Sequence, residues 1–292
     1  MNSDLPVVCL GEALIDRLGP PGGDPAIDGP VDDRLGGAPA NVACGLARLG
    51  TSVAFLGRLG ADAIGDRFAT LFLQRGVDVD SVQWDAQRPS RIVLVRRSAD
   101  GERQFRGFAG DEGLGFADQA LASVELPKQA RWLLTGTLPL AAHASADSLR
   151  GAVAQSKARG IALAVDVNWR PTFWDSAARP DAGPSQQAIE LIRPLLEQAA
   201  LIKLAREEAI WLFGSTDPRA ICTQLPQEPD VVVTDGAEPV RWWMDGASGT
   251  QPAFRPPQVV DTTGAGDAFT AGLLHRWSAS PAERVRLSLI HI

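Results

Sequence analysis

Nine residues near the carboxyl end, Asp261-Thr262-Thr263-Gly264-Ala265-Gly266-Asp267-Ala268-Phe269, place small side chains and an acid at the start of an apolar helical pattern that continues through Leu273 and Leu274. The first amides of a helix have no internal partner, and two glycines with an alanine let a ligand approach that backbone closely. An anion placed there gains free N–H donors and the positive end of the helix dipole. Asp267 falls in the first turn, where the dipole favours its ionised form, so on electrostatics alone it would serve as a stabilising carboxylate. That role leaves the adjoining Gly-Ala-Gly run unexplained. A carboxylate beside an anion hole is what phosphoryl transfer to an alcohol requires: the acid takes the hydroxyl proton while the amides hold the charge developing on the phosphoryl group.

Other phosphate and nucleophile motifs are missing. None of the three lysines, Lys128, Lys157 and Lys203, stands in Gly-x-x-x-x-Gly-Lys-Ser/Thr. No Gly-x-Gly-x-x-Gly follows the first apolar run, and no Gly-x-Ser-x-Gly elbow occurs. His143, His275 and His291 form no metal-spaced cluster with Cys9, Cys44 and Cys222, which argues against a zinc enzyme.

The elements that must position these residues alternate along the chain. Strands are expected at Val7–Leu10, Val53–Leu56, Trp132–Leu134, Ile161–Val165, Leu201–Lys203 and Val231–Val233. Helices are expected at Pro39–Leu49, Ala63–Gln74, Ala142–Ala158, Gln186–Gln198 and Glu207–Phe213. Gly50, Gly76 and Gly160 stand where helices end. Continuous runs such as Val231-Val232-Val233 suit strands covered on both faces. The class is therefore α/β and doubly wound, with a ligand at the carboxyl ends of the strands. Two stretches break the rhythm: Arg91–Arg97 and Arg103–Phe108 flank an Asp100-Gly101 turn, and residues 15–35 are rich in proline, glycine and acid. Together they predict a small β-lid standing over the main sheet, with an edge hairpin of no function as the plainer alternative. Residues 171–185 read as the longest irregular segment.

The whole chain sets few further limits. It has 292 residues, 45% hydrophobic and 22% charged, within the range of one large folded domain. A net charge of −7, from 28 basic and 35 acidic residues, gives no basis for binding nucleic acid or an anionic membrane. No apolar run approaches a membrane span, and the amino terminus lacks the basic region and cleavage site of a signal peptide. Three widely spaced cysteines in apolar surroundings fit free thiols in a reducing cytosol, so a cytoplasmic location is expected.

Residues 261–269 resemble the second signature of the ribokinase-like (PfkB) sugar kinases. Gly36-Gly37-Ala38-Pro39-Ala40-Asn41-Val42-Ala43, continuing through Leu49-Gly50 to Gly57-Arg58-Leu59-Gly60-Ala61-Asp62, resembles the first. The resemblance covers essentially the whole chain. Within the family, Gly11-Glu12-Ala13-Leu14-Ile15-Asp16 and Asp166-Val167-Asn168-Trp169-Arg170-Pro171-Thr172-Phe173-Trp174 are most similar to bacterial and plant fructokinases. It implies a ribokinase-like three-layer α/β/α fold with a mostly parallel sheet, one kinase domain over 1–292, and a lid formed by about 15–35 and 90–110. It also implies roles: Asp267 as base on the sugar's primary hydroxyl, with Gly264, Ala265 and Gly266 donating the anion-hole amides. Asp16, Gly36, Gly37 and Asn41 would bind the sugar. Asn168, Arg170, Thr234 and Gly236 would face ATP, and Glu208 would meet a magnesium ion through water. Potassium is a further candidate ion.

The reaction so implied is ATP-dependent phosphorylation of a sugar, fructose to fructose 6-phosphate, with a 2-keto-3-deoxygluconate or ribose kinase as the alternative. An acid substrate would need a cation in the sugar pocket, which Arg91, Arg103 or Arg106 could supply. A sugar-binding protein without turnover is the alternative of another class. Phe105, Phe108 and Arg106 on the lid are candidate substrate contacts, although alternate residues on a hairpin face opposite ways. A homodimer through the lid, with the apolar Ile92 and Leu94, fits as well as a monomer. Two departures from the pattern stand out. The family's Asn-x-x-Glu appears as Ala205-Arg206-Glu207-Glu208, and Arg284–Ile292 does not resemble the small-residue helix that usually closes the fold. The second implies a truncated or frameshifted product that binds ATP poorly or is marginally stable.

Overall fold

A computed structural model describes residues 6–97, 103–254 and 262–279. The Asp100-Gly101 turn, Asp261 and the carboxyl-terminal stretch 280–292 lie outside them.

The central sheet has eight strands in the order β14 (Ala247–Gln251), β13 (Glu238–Met244), β12 (Asp230–Asp235), β11 (Leu201–Ala205), β10 (Ala162–Asp166), β9 (Trp132–Thr135), β1 (Val7–Leu10) and β4 (Val53–Leu56). From β12 to β4 every pairing is parallel, while β13 and β14 add an antiparallel edge. Side chains alternate across each strand, and both faces are covered. Val8 and Leu10 pack toward α3 (His143–Arg159), α5 (Gln186–Leu196), α6 (Arg206–Phe213) and α7 (Pro218–Cys222). Val7 and Cys9 pack toward α1 (Ala38–Arg48), α2 (Ala63–Arg75) and α8 (Ala265–Ala279). This is the expected three-layer architecture. Gly76 and Gly160 end α2 and α3 in the left-handed region, at φ 75° and 68°. Asp62 caps α2 by accepting from the amides of Ile64 and Gly65.

The segments that broke the alternation form a separate four-stranded sheet in the order β3 (Asp32–Gly36), β2 (Leu14–Pro21), β7 (Ile92–Arg97) and β8 (Arg103–Ala109). The expected hairpin is β7–β8, but its register shifts between Leu94 and Val95. Leu94 pairs with Gly107 and Val95 with Phe105, so Arg106 is an extra residue and Gly107 takes φ 121°. Such a bulge reverses the facing of the residues beyond it. Phe105 and Phe108, expected on opposite faces, therefore meet edge to face with ring centroids 5.1 Å apart.

Two pairs of strands were not anticipated. β5 (Arg58–Gly60) lies parallel to β6 (Gln83–Asp85). The β13–β14 hairpin turns on Asp245-Gly246, both at positive φ (49° and 76°), as a two-residue connection requires. Residues 171–185, expected to be irregular, open with one helical turn, α4 (Pro171–Trp174). Cys9 and Cys222 are buried free thiols and Cys44 is half-buried. No described helix is long and apolar enough to cross a membrane.

Candidate active site

The site forms where β1, β10, β11 and β12 end, beside the amino-terminal turn of α8. Gly264 stands before the helix at φ 76°, and the amide of Ala268 donates to its carbonyl at 2.8 Å. The Ala265 amide donates to Thr262 O at 3.1 Å and closes the turn. The Ala265 amide, expected among the anion-hole donors with those of Gly264 and Gly266, is thus occupied by the turn, and the first-turn amides that follow it are those of Gly266 and Asp267.

Asp267 is aimed at α1 rather than outward. Its Oδ2 accepts from Asn41 Nδ2 at 2.8 Å, joining two signatures 226 residues apart. Burial raises the Asp267 pKa, and the Asp166 carboxylate adds to that; the Asn41 hydrogen bond, Lys203 and Arg170 act the other way. A carboxylate that is a stronger base than usual, yet held by a donor and two cations, is suited to taking a hydroxyl proton.

The sugar-side candidates cluster at the base of the second sheet. Gly37 caps α1 at φ 99°, and a Cβ there would lie 2.6 Å from Glu12 O. Only glycine fits that position. Asp16 on β2 reaches its neighbour, its Oδ2 lying 3.2 Å from where a Gly36 Cβ would be. Asp16, Gly36, Gly37, Asn41 and Asp267 thus form one continuous run. Glu12 supports it, accepting from the Ala38 amide at 3.0 Å. Its pKa is pushed up to about 7, chiefly by burial, with Asp118 and Asp267 contributing and backbone hydrogen bonds opposing. No chemistry-bearing spacing singled out Glu12.

The other candidates lie further along the main sheet, two (β10) and four (β12) strands from β1. Asn168 follows β10 at φ 44°, and Arg170 is exposed beside it, its Nη1 donating to Trp169 O at 3.1 Å. Thr234, one residue before the end of β12, pairs with Ala205 and donates to Leu204 O at 3.3 Å, and Gly236 follows the strand at φ 54°. Glu208 is buried, and its oxygens accept from the Trp169 and Ala205 amides at 2.6 and 2.7 Å. It clamps the Asn168–Arg170 loop to the start of α6.

Beneath α8, Lys203 contacts both oxygens of Asp166 at 3.0 and 3.1 Å, and Thr270 donates to Asp166 Oδ2 at 2.8 Å. The motifs did not reveal this group, because only sheet register and helix packing bring residues 166, 203 and 270 together. Arg91, a candidate partner for an acid substrate, is already occupied. It is 5% exposed, pairs with Asp118 at 2.9 Å, and lies within about 5 Å of the Phe108, Phe116 and Phe173 rings. Arg106 is exposed at the bulge, and the Arg103 side chain lies outside the described structure.

A doubly wound sheet with a helix amino terminus, a basic carboxylate and a pair of closely packed glycines at the base of a second sheet defines a ribokinase-like phosphotransferase. The chain belongs to the pfkB family of carbohydrate kinases, whose model matches residues 5–288. A fructokinase of Klebsiella pneumoniae is 34% identical over 270 residues, spanning 91% of this chain and 82% of its own. The crystal structure of a Xylella fastidiosa fructokinase with bound ATP superposes with a TM-score of 0.79 at 30% identity, covering 96% of this chain and 84% of that one. A Vibrio cholerae fructokinase with fructose, ADP and calcium bound gives 0.77 at 29% identity, covering 95% and 85%.

Proposed function

We propose that this kinase transfers the γ-phosphoryl group of ATP to the primary hydroxyl of fructose, giving fructose 6-phosphate. The observation that supports the reading is the Asn41–Asp267 contact, which ties the carboxylate beside the first-turn amides of α8 to the helix that follows Gly36 and Gly37. Asp16, Gly36, Gly37 and Asn41 hold the sugar. A carboxylate accepts from adjacent hydroxyls, and an amide both donates and accepts. Asp267 removes the hydroxyl proton as the oxygen attacks. The amides of Gly266 and Asp267, with Gly264 and Ala265 shaping the turn, meet the charge on the transferred group.

ATP lies across the carboxyl ends of β10 to β12, with Asn168 and Arg170 toward its phosphates and Thr234 and Gly236 beside it. Among the described residues no group of three or more acids, histidines or cysteines is arranged to hold a metal ion. Glu208 would hold magnesium through water, and the ion's preference for phosphate and water suits entry with the nucleotide. When bound, it neutralises charge on the phosphates. Potassium has no assigned ligand here.

Residues 1–292 act as one catalytic unit in which the sheet β3-β2-β7-β8 is the lid. Closure over the sugar excludes water and limits ATP hydrolysis. Phe105 and Phe108, brought to one side by the bulge, are its aromatic contacts. The occupied state of Arg91 disfavours an acid substrate, since a carboxylate would have to displace Asp118 from a partly buried pair. The assay is a panel of fructose, ribose and 2-keto-3-deoxygluconate with ATP, the product's position read by phosphorus NMR. Fructose 6-phosphate as the dominant product is expected; preferential phosphorylation of the acid would reject the assignment.

A further inference from the structure

Lys203 is one of three lysines in the chain and the one that is buried, at 8% exposure. A buried ammonium is costly unless it is paired and hydrogen-bonded. Asp166 faces it directly across the β10–β11 ladder. Leu201 and Ala164 belong to the core under α1, α2 and α8, so the two-residue period puts Lys203 and Asp166 on that face as well. α8 lies over the pair with its first turn in contact. A Cβ on Gly266 would sit 3.1 Å from Lys203 Nζ, so glycine is what lets the ammonium come up beneath the backbone. Thr270, one turn further on, shares its hydroxyl between Asp166 Oδ2 at 2.8 Å and Gly266 O at 3.0 Å.

We infer that Lys203, through Asp166 and Thr270, is a positioning residue for phosphoryl transfer, fixing the first turn of α8 and supplying positive charge beneath Asp267 and the anion-binding amides. A hydrophobic pair of similar volume would staple strand to helix at lower desolvation cost. The charge is explained by what stands above it. Asp267 is faced by Asn41 from α1, Asp166 from β10, Lys203 from β11, Arg170 from the loop after β10, and Glu12 from the loop after β1. Of these, Lys203 and Arg170 favour the ionised base, while Asp166 opposes it. Lys203 itself stays charged: burial works against the ammonium, but Asp166 and Glu208 outweigh it.

The inference rests on Asp267 being the base, and the experiment separates the two. The pH dependence of kcat is measured for Lys203→Met, Asp166→Asn, Thr270→Val, Thr270→Ser and Asp267→Asn, with thermal unfolding of each. Removing the cation moves the acid limb up by roughly half a pH unit or more, and removing the Asp166 charge moves it down. Thr270→Val lowers kcat with little change in the KM for fructose, and serine, which keeps the hydroxyl, restores most of it. A purely structural staple would not shift the limb in opposite directions for the two charges. If Asp267→Asn is inactive but the limb stays put in the folded charge variants, or moves the same way in both, the inference is overturned. Should Lys203→Met fail to fold, a limb that does not move down in Asp166→Asn, or a Thr270→Val with full kcat, overturns it instead. If Asp267→Asn is as active as the parent, the assignment of the base fails first.

Discussion

Replacing Asn41 with alanine removes the hydrogen bond, 2.8 Å long, that α1 makes to Asp267. A neutral donor to a carboxylate contributes about 1.5–3 kcal/mol. Water entering the half-buried position recovers part of this, leaving about 1.4 kcal/mol, a factor of about ten in rate where the base is limiting. The sign is set by the surroundings of the carboxylate. Burial has already raised the Asp267 pKa, and the Asn41 bond favours the ionised form, so its loss raises the value further. With the ionised carboxylate as the proposed base, Asn41→Ala should lose kcat from a higher pH downward. A drop of about tenfold is expected where the parent begins to fall, narrowing toward alkaline pH. Asn41→Asp places a second carboxylate at hydrogen-bond distance, and the two must share a proton, so the limb should move further. The assay is initial-rate phosphorylation of fructose at saturating ATP across the acid-to-alkaline range. An acid limb in Asn41→Ala that coincides with the parent's would refute the claim that this contact tunes the base.

Two other predictions concern stability. Burial disfavours ionised Asp85, but the amides of Arg88 and Gln87 and the Arg58 guanidinium hold its pKa down at about 2 against an ordinary 3.8. Its contribution, about 2 kcal/mol as an upper bound, is present above the ordinary value and lost as pH falls toward 2. Asp85→Asn should therefore lower Tm at neutral pH, and the gap should close on acidification; a gap independent of pH would contradict this. Arg91→Met leaves the partly buried Asp118 without its partner, a loss of up to about 3 kcal/mol, and adding Asp118→Leu should recover much of it. Calorimetry on the single and double variants reads the coupling, and strictly additive losses would contradict it.

Much of this architecture was legible in the sequence because its signals are local. Val231–Val233, the glycines that end α2 and α3, and the Gly264–Asp267 turn each state their conformation within a few residues. Asp245-Gly246 is an equally plain hairpin signal, but Glu238–Met244 beside it follows no clean alternation and hides the strand. Other features are not local at all. The bulge at Arg106 depends on how β7 and β8 pair, and it decides which aromatic rings face together. Arg91 reads as a free cation until the fold brings Asp118 and three phenylalanines around it. The Lys203–Asp166–Thr270 group needs both strand register and helix placement. The motifs thus marked residues that would touch ligands, while the groups supporting them emerged only from packing.

The central claim is that Asp267 is the base in phosphoryl transfer from ATP to fructose, and Asp267→Asn tests it most directly. The exchange keeps size and the Asn41 neighbour while removing proton affinity. With folding verified by an unchanged unfolding transition, kcat for fructose 6-phosphate formation should fall by about 10²–10⁴, with the KM for fructose far less affected. A variant turning over fructose at the parental rate would contradict the account.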